Sequence, residues 1–337
     1  MARMKYSEAI DAAVAHAMAK DERVIVFGED VPMLRPTLFA RFGKDRVMAA
    51  PISEAAFSAA GYGAAMAGLK PIVEIMMVDF ISCAWDAVLN HMAKLPGFSG
   101  GKWTCPLVVR AACCGGYGDG GQHEQALWGM LSGIPGLAVV APSTPADANG
   151  LMTAAIECDG PVIFLEHKLL SEQWLEFLGR LGRDTVSFDV PADGLEGEVP
   201  DGSPALPMGS AAVRREGRDI TVASLAVGVH RGLEAAEKLE AEGTSCEVID
   251  LRTTRPLDVK TVVDSVKKTG RLMVVDEDYR EFGLSGELGA VVLEAGLTPK
   301  YRRVCLEDTL PFARHLEAAA LPNVERIIAA AKDLMGM

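Results

Sequence analysis

Short apolar, β-branched runs alternate with helix-period segments along most of this chain. Strands are predicted at "RVIVFG" from Arg23, "PIVEIMMV" from Pro71, "PLVVRAAC" from Pro106, "LAVVAP" from Leu137 and "PVIFLE" from Pro161. Between them the pattern predicts helices near Ser7–Lys20, Glu54–Gly68, Trp85–Leu95, Gln125–Leu131 and Thr144–Cys158. Strands apolar on both faces, each followed by a helix, predict a parallel sheet covered by helices. A second series starts after Arg218: "DITVASLA", a helix over His230–Glu242, "CEVIDL", a helix over Asp258–Lys267, "RLMVVDE", a helix over Glu287–Ala295, and "YRRVCLE". The expected fold is therefore α/β, with two doubly wound domains over residues 1–185 and 210–337 and a linker or excursion over 186–209. The whole connecting stretch, Ser171–Gly209, is rich in Gly, Pro and Asp. Trp174, Leu175, Phe177 and Leu178 give it an apolar cluster that a disordered segment seldom carries, so it is expected to dock as an excursion or interface arm.

Composition narrows the function classes. At 337 residues the chain exceeds one typical core, and 49% apolar with 23% charged residues is an ordinary soluble composition. A net charge of −13, with no basic run longer than a pair, argues against a nucleic-acid or anionic-membrane surface. The amino-terminal segment carries acids throughout and does not read as a signal peptide, and no apolar stretch reaches the roughly 18 residues needed to span a bilayer. Seven scattered cysteines, of which only Cys113 and Cys114 are close in sequence, fit a reducing cytoplasm. Without a CxxC, neither a zinc nor a thiol-redox site is expected.

The candidate chemistry concentrates in Ala50–Phe80. Glu54 opens a helix made almost wholly of Ala and Gly, along which another backbone or a flat cofactor can approach closely. A strand follows and ends at Phe80. An acid, a close-packing helix and an aromatic at a strand end suit a planar heterocycle. Ser53 is placed to cap the helix, so the helix end favours ionised Glu54, whereas burial among Ala and Gly would push its pKa up. Two readings stand open: a carboxyl sharing a proton with a ring nitrogen of a ligand, or a solvated first-turn glutamate.

The segment "CCGGYGDGGQHEQALW" from Cys113 is a glycine-rich loop ending at His123. Its backbone N–H groups are free either to line a ligand or to sit in a flexible connection with an exposed histidine. Gly118-Asp119-Gly120 with Asn149 mimics a Mg-diphosphate signature, but with one Asn where that signature has a pair. His16 and His230 fall in helical patterns, and His91, His167 and His315 have no spacing signal. Glu54, Phe80 and His123 each follow a strand, at the edge where parallel sheets bind ligands.

Taken together these segments resemble a known family. "VFGEDV", "PISEAAF", "GAAMAGLKPIVEI", Asp79–Phe80, "FSGGK", "GGQHEQ", "IPGLAVVAPSTPADA", "GPVIFLEHKLL", "VIDLRTTRPLD", "KKTGRLMVVDE" and "LPNVERI" match, in order, the beta subunit of the thiamine diphosphate-dependent decarboxylase of 2-oxoacid dehydrogenase complexes, of pyruvate, branched-chain and acetoin types. The resemblance implies a thiamine-pyrimidine-binding domain followed by a transketolase C-terminal-like domain. It implies that Glu54 bonds N1′ of the cofactor's aminopyrimidine and favours its imino tautomer, that Phe80 stacks on that ring, and that His123 serves acyl transfer to a lipoyl arm. Ile52 and Gln122 would line the pocket. The turn at Asp159–Gly160 resembles a segment whose carbonyls hold a structural potassium ion in some members.

An absence has consequences too. The resemblance does not cover a diphosphate domain, so Mg²⁺ and the diphosphate are expected from a separate alpha subunit in an α₂β₂ tetramer, with a lipoyl acyltransferase as acyl acceptor and a 2-oxo acid as substrate. The chain departs from the family pattern in reading "PMLRPTLFARFG" after "GEDV". It also carries Glu124 after His123 where Ser is common, which is expected to add negative charge near acyl transfer, and the Ser171–Gly209 excursion is longer than usual. The alternative is the carboxyl-terminal half of a split transketolase-like enzyme, which demands a basic cluster for a sugar phosphate. A nucleotide-binding or electron-carrier subunit would need GxGxxG after the first strand, and "VIVFGEDVP" lacks it.

Overall fold

The computed structural model describes residues 1–179 and 192–337. In chain order its strands are β1 (Ala2–Lys5), β2 (Val24–Glu29), β3 (Val47–Ala50), β4 (Lys70–Met77), β5 (Val108–Cys113), β6 (Ala138–Val140), β7 (Val162–His167), β8 (Glu196–Val199), β9 (Ala212–Arg215), β10 (Ile220–Ser224), β11 (Cys246–Asp250), β12 (Thr253–Arg255), β13 (Arg271–Tyr279) and β14 (Lys300–Leu306). The first sheet has the order β12-β6-β7-β5-β4-β2-β3 and the second β14-β13-β10-β11-β9. Each is parallel apart from one edge strand, β12 against β6 and β9 against β11. Every residue of β5 and β7 is buried, as two-faced apolar strands require.

The Tyr6–Lys20 helix packs along the Pro145–Glu157 helix, and the Glu54–Met66 helix lies against β4. Gly61 makes the second contact close: a Cβ there would meet Leu107 and Phe27 side chains at 3.2 and 3.5 Å and overlap Val73. The opposite face of that helix, Ala55, Ala56, Ala59, Ala60 and Gly63, is bare.

The two sheets are laced together. β12, which follows β11 in the second domain, crosses to pair with β6, Thr253 opposite Val140. The Trp128 indole donates to Asp276 at 2.8 Å and the Gly129 N–H to Asp278 at 2.8 Å. One apolar core holds residues of both domains, from Tyr6 to Val292.

Where it is described, the excursion docks on the first domain: a helix spans Glu172–Gly179, Trp174 is 2% exposed with its ring edge-on to Phe177, and β8, residues 196–199, pairs antiparallel with β1. The Leu178 side chain and the 185/186 boundary lie outside the described residues. Other sequence expectations need correction. The helix expected over Trp85–Leu95 is present but takes π-type bonding over Ala87–Met92, and an unexpected 3₁₀ helix, Val78–Ala84, precedes it. The helix expected from Gln125 starts only at Trp128, because Leu127 takes a left-handed conformation, φ +55°.

Candidate active site at the carboxyl edge of the first sheet

Strands β3, β2, β4, β5 and β7 stand side by side and point the same way, so their carboxyl ends form one edge. Glu54 follows β3, Glu29 ends β2, Phe80 follows β4, His123 lies in the loop after β5, and His167 ends β7. From β2 the chain steps to β3 on one side and then returns to β4 on the other, which makes this edge a topological switch point of the kind that binds ligands.

Three of the expected residues are thereby gathered. The rings of Phe80 and His123 meet edge to face, centroids 5.3 Å apart. Glu54 is half-buried at the start of its helix, between the two readings left open, and Ser53 holds the N-cap position without a side-chain bond. Glu54 lies close to Glu29, whose pKa is raised by burial first and by the charge of Glu54 second. Ile52, 74% exposed, and Gln122, also exposed, stand at the rim and enclose nothing within this chain.

Three further residues shape the edge. Asp79, buried beside Phe80, accepts from the Gln125 amide side chain at 2.8 Å, and its Oδ2 has no partner among the described residues. Glu29 faces Glu54. Lys168, fully buried, donates to the His123 carbonyl at 2.6 Å. Sequence carried a trace of each, since all three sit inside the quoted family segments, but nothing local marked which way they turn.

Several backbone N–H groups of the glycine-rich loop are already bonded within the chain. Glu124, expected to bring charge to the site, is 0% exposed and turns inward: it accepts the Tyr117 N–H at 2.7 Å and the Gly120 N–H at 3.0 Å. Glu317, from the second domain, accepts the Gly116 N–H at 2.7 Å. Gly118 and Gly120 both have φ +73°, and a Cβ on Gly120 would come within 2.7 Å of the Phe312 ring. Glycine is needed there for conformation and for space.

The residues that could hold an ion mostly have other partners. Asn149 is buried, and its side-chain amide donates to Ala9 O and Ser203 Oγ. The Asp159 carbonyl accepts from Cys105 N–H at 3.0 Å, and the Ile156 carbonyl accepts from the Lys70 ammonium at 3.3 Å. The resemblance assigns a potassium ion to the turn at Asp159–Gly160, and Lys70 places an ammonium on the preceding Ile156 carbonyl. Cys114, His167 and Glu277 converge within 4.8 Å. His167 Nδ1 accepts from Leu169 N–H, its Nε2 bonds Glu277 at 2.8 Å, and Arg231 bonds the other carboxylate oxygen. Arg231 and Glu277 form an ion pair within the second domain, and the His167 hydrogen bond ties it to the first. One cavity of about 860 Å³ is lined by Asp11, Leu34, Leu38, Gln173 and Phe177 among others, and by none of the five expected site residues.

What the edge offers a ligand is an aromatic face, a half-buried carboxyl and a histidine. Those residues fit the pyrimidine half of thiamine diphosphate. Residues 2–173 match the family described as transketolase, pyrimidine binding domain, and residues 209–327 match transketolase, C-terminal domain. The chain is 37% identical to the 2-oxoisovalerate dehydrogenase subunit beta of Bacillus subtilis (strain 168) over 99% of both chains. It is 38% identical to the acetoin:2,6-dichlorophenolindophenol oxidoreductase subunit beta of Cupriavidus necator, over 97% of this chain and 96% of that one. It is 39% identical to the pyruvate dehydrogenase E1 component subunit beta of Rhizobium meliloti (strain 1021), over 98% of this chain and 70% of that one. A solved split gene transketolase, described as an inactive beta4 tetramer, shares the fold with a TM-score of 0.77 at 20% identity, covering 99% of this chain and 98% of its own. A transketolase from Leishmania mexicana shares it at TM-score 0.71 and 16% identity, with all of this chain spanning 46% of that one. On the two domain matches and the full-length relatives, the chain belongs to the beta subunits of the thiamine diphosphate-dependent 2-oxoacid dehydrogenases, within the transketolase-like superfamily.

Proposed function

We propose that this chain pairs with an alpha subunit in an α₂β₂ tetramer and carries out oxidative decarboxylation of a 2-oxo acid, or acetoin cleavage, passing the acyl group to the lipoyl arm of an acyltransferase component. In this reading residues 1–185 present the pyrimidine half-site, 210–337 form the carboxyl-terminal domain, and the alpha subunit holds the diphosphate and Mg²⁺. When bound, the cofactor would supply a nucleophilic carbon and an electron sink for decarboxylation. Glu54 holds a proton against a ring nitrogen, Phe80 gives the ring a stacking face, and His123 positions or delivers a proton during acyl transfer. Seven unpaired cysteines suit a reducing compartment, the cytoplasm in this reading.

The observation that carries the proposal is the Phe80 and His123 ring contact at 5.3 Å on the edge that also bears Glu54. The bare Ala and Gly face of the Glu54–Met66 helix supports a partner chain lying against it. The sugar-phosphate alternative demands a basic cluster. Around the edge stand Glu29, Glu54 and Asp79, while Lys168 and Arg314 beside the loop are bonded to the His123 carbonyl and to Glu317.

Co-expression with a candidate alpha chain, followed by dye reduction with thiamine diphosphate, Mg²⁺ and a panel of 2-oxo acids and acetoin, tests this. At least one substrate should turn over, and Glu54→Gln should lower kcat by about 10²–10⁴ with the tetramer intact. Near-normal turnover in that variant removes the role of Glu54. Tight calorimetric binding of the cofactor by the isolated chain removes the split site.

A further inference from the structure

Glu124 stands directly after His123, yet its side chain points away from the crevice and into the seam between the domains. There it is hydrogen-bonded to the carboxyl of Glu317, which is also 0% exposed. Two buried carboxyls in hydrogen-bond contact must hold a proton between them, because neither has a donor of its own when ionised. Together they accept the N–H groups of Gly116, Tyr117 and Gly120, three amides of the loop that carries His123. Lys168 holds the same loop from the other side, through the His123 carbonyl and over the Tyr117 ring at 5.2 Å. Arg314 pairs with Glu317.

The geometry points to Glu124 as a positioning residue for His123: its carboxyl, through the proton it shares with Glu317, fixes the loop, and loss of that proton frees His123 from its place beside Phe80. This rests on the proposed role of His123 in acyl transfer. The groups facing the pair are Lys168 from the turn after β7, Arg314 on the helix that bears Glu317, and Tyr117 and His123 of the loop itself. Arg314 offsets one carboxylate and Lys168 is committed to a carbonyl. A second ionised carboxylate would therefore face the first without a matching cation bonded to it. Burial, outweighing the attraction of Lys168 and reinforced by Glu317, pushes the Glu124 carboxyl up to about 8, so the shared proton is present at neutral pH and lost in mild alkali.

No step of the decarboxylation itself passes through Glu124, so the effect falls on transfer to the lipoyl group. The test uses the reconstituted tetramer with thiamine diphosphate and Mg²⁺, and takes the ratio of lipoyl-domain acylation to dye reduction across pH. In the wild type this ratio should fall about tenfold between about pH 7 and 9, following the protonated fraction of one group. In Glu124→Gln, which cannot ionise, the fall should vanish. A flat wild-type ratio, or the same fall at the same pH in the variant, overturns the inference.

Hydrogen exchange on the wild-type tetramer decides the matter without any variant. Protection of the amides of Gly116, Tyr117 and Gly120 should drop about tenfold over the same range, beyond the intrinsic pH effect. Unchanged protection sinks the clamp. His123→Ala separates the two layers: undiminished lipoyl acylation in that variant removes the role of His123, while the exchange result still judges the loop.

Discussion

Glu277 carries a charge at the seam between the two domains, paired with Arg231 and hydrogen-bonded across the seam to His167. It is buried at the seam, and burial alone would raise its pKa, but His167 and Arg231 outweigh that and hold the carboxyl at about 2 instead of 4.5. That difference is worth about 3 kcal/mol of stability. Because the folded-state value is the lower one, the stability is fully present above the ordinary carboxyl range and is lost as pH falls from about 4.5 through about 2. Glu277→Gln removes the charge and leaves the buried Arg231 guanidinium without its counter-ion, and breaking a buried pair in this way costs about 3–5 kcal/mol.

Urea denaturation of the purified full chain, followed by fluorescence of the buried Trp128 and Trp174, measures both effects. The variant should fall about 3–5 kcal/mol below the wild type at neutral pH. The gap should stay constant down to about pH 5 and narrow by about 2 kcal/mol by pH 3. A gap under about 1 kcal/mol at neutral pH, or parallel curves down to about pH 3, would refute the reasoning.

Two further outcomes are expected. Gly28 pairs with Glu74 across β2 and β4, and a Cβ there would overlap the Glu74 carbonyl oxygen; Gly28→Ala should lose about 1–3 kcal/mol or more, read from soluble yield and urea midpoint, and an unchanged midpoint would mean that these strands can part at no cost. With Lys70 on the Ile156 carbonyl, the chain should melt at the same temperature in potassium and sodium chloride of equal ionic strength, whereas Lys70→Met should lose about 1 kcal/mol, a shift of about 1–2 °C; a potassium-specific rise in the wild type would favour an ion at the turn.

The parts of this protein that sequence discloses are those with redundant signals. β2, β4, β5 and β7 are apolar on both faces and bounded by turn residues, and Phe80 and His123 follow such strands directly. β12 is three residues long and lies at an edge, with no apolar run to announce it. β1 and β8 alternate in a two-stranded ribbon joined from opposite ends of the first domain, and only contact between them makes either a strand. For residues 84–92, buried Ala84, Ala87, Val88 and Met92 satisfy a helical period whether the backbone bonds span four residues or five, so spacing alone does not separate them. The inward turn of Glu124 was illegible for another reason: its partners are two amides of its own loop and a carboxyl 193 residues further on, and no local pattern encodes that meeting.

The crossing of β12 limits how this polypeptide can be cut. A gene divided near residue 209 would yield an amino-terminal product whose β6 lacks its flanking strand and exposes a raw row of amides and carbonyls, an invitation to sticky self-association. Recombination that swaps the carboxyl-terminal half between relatives must carry a compatible Thr253–Arg255 with it, or the hybrid inherits an unzipped border.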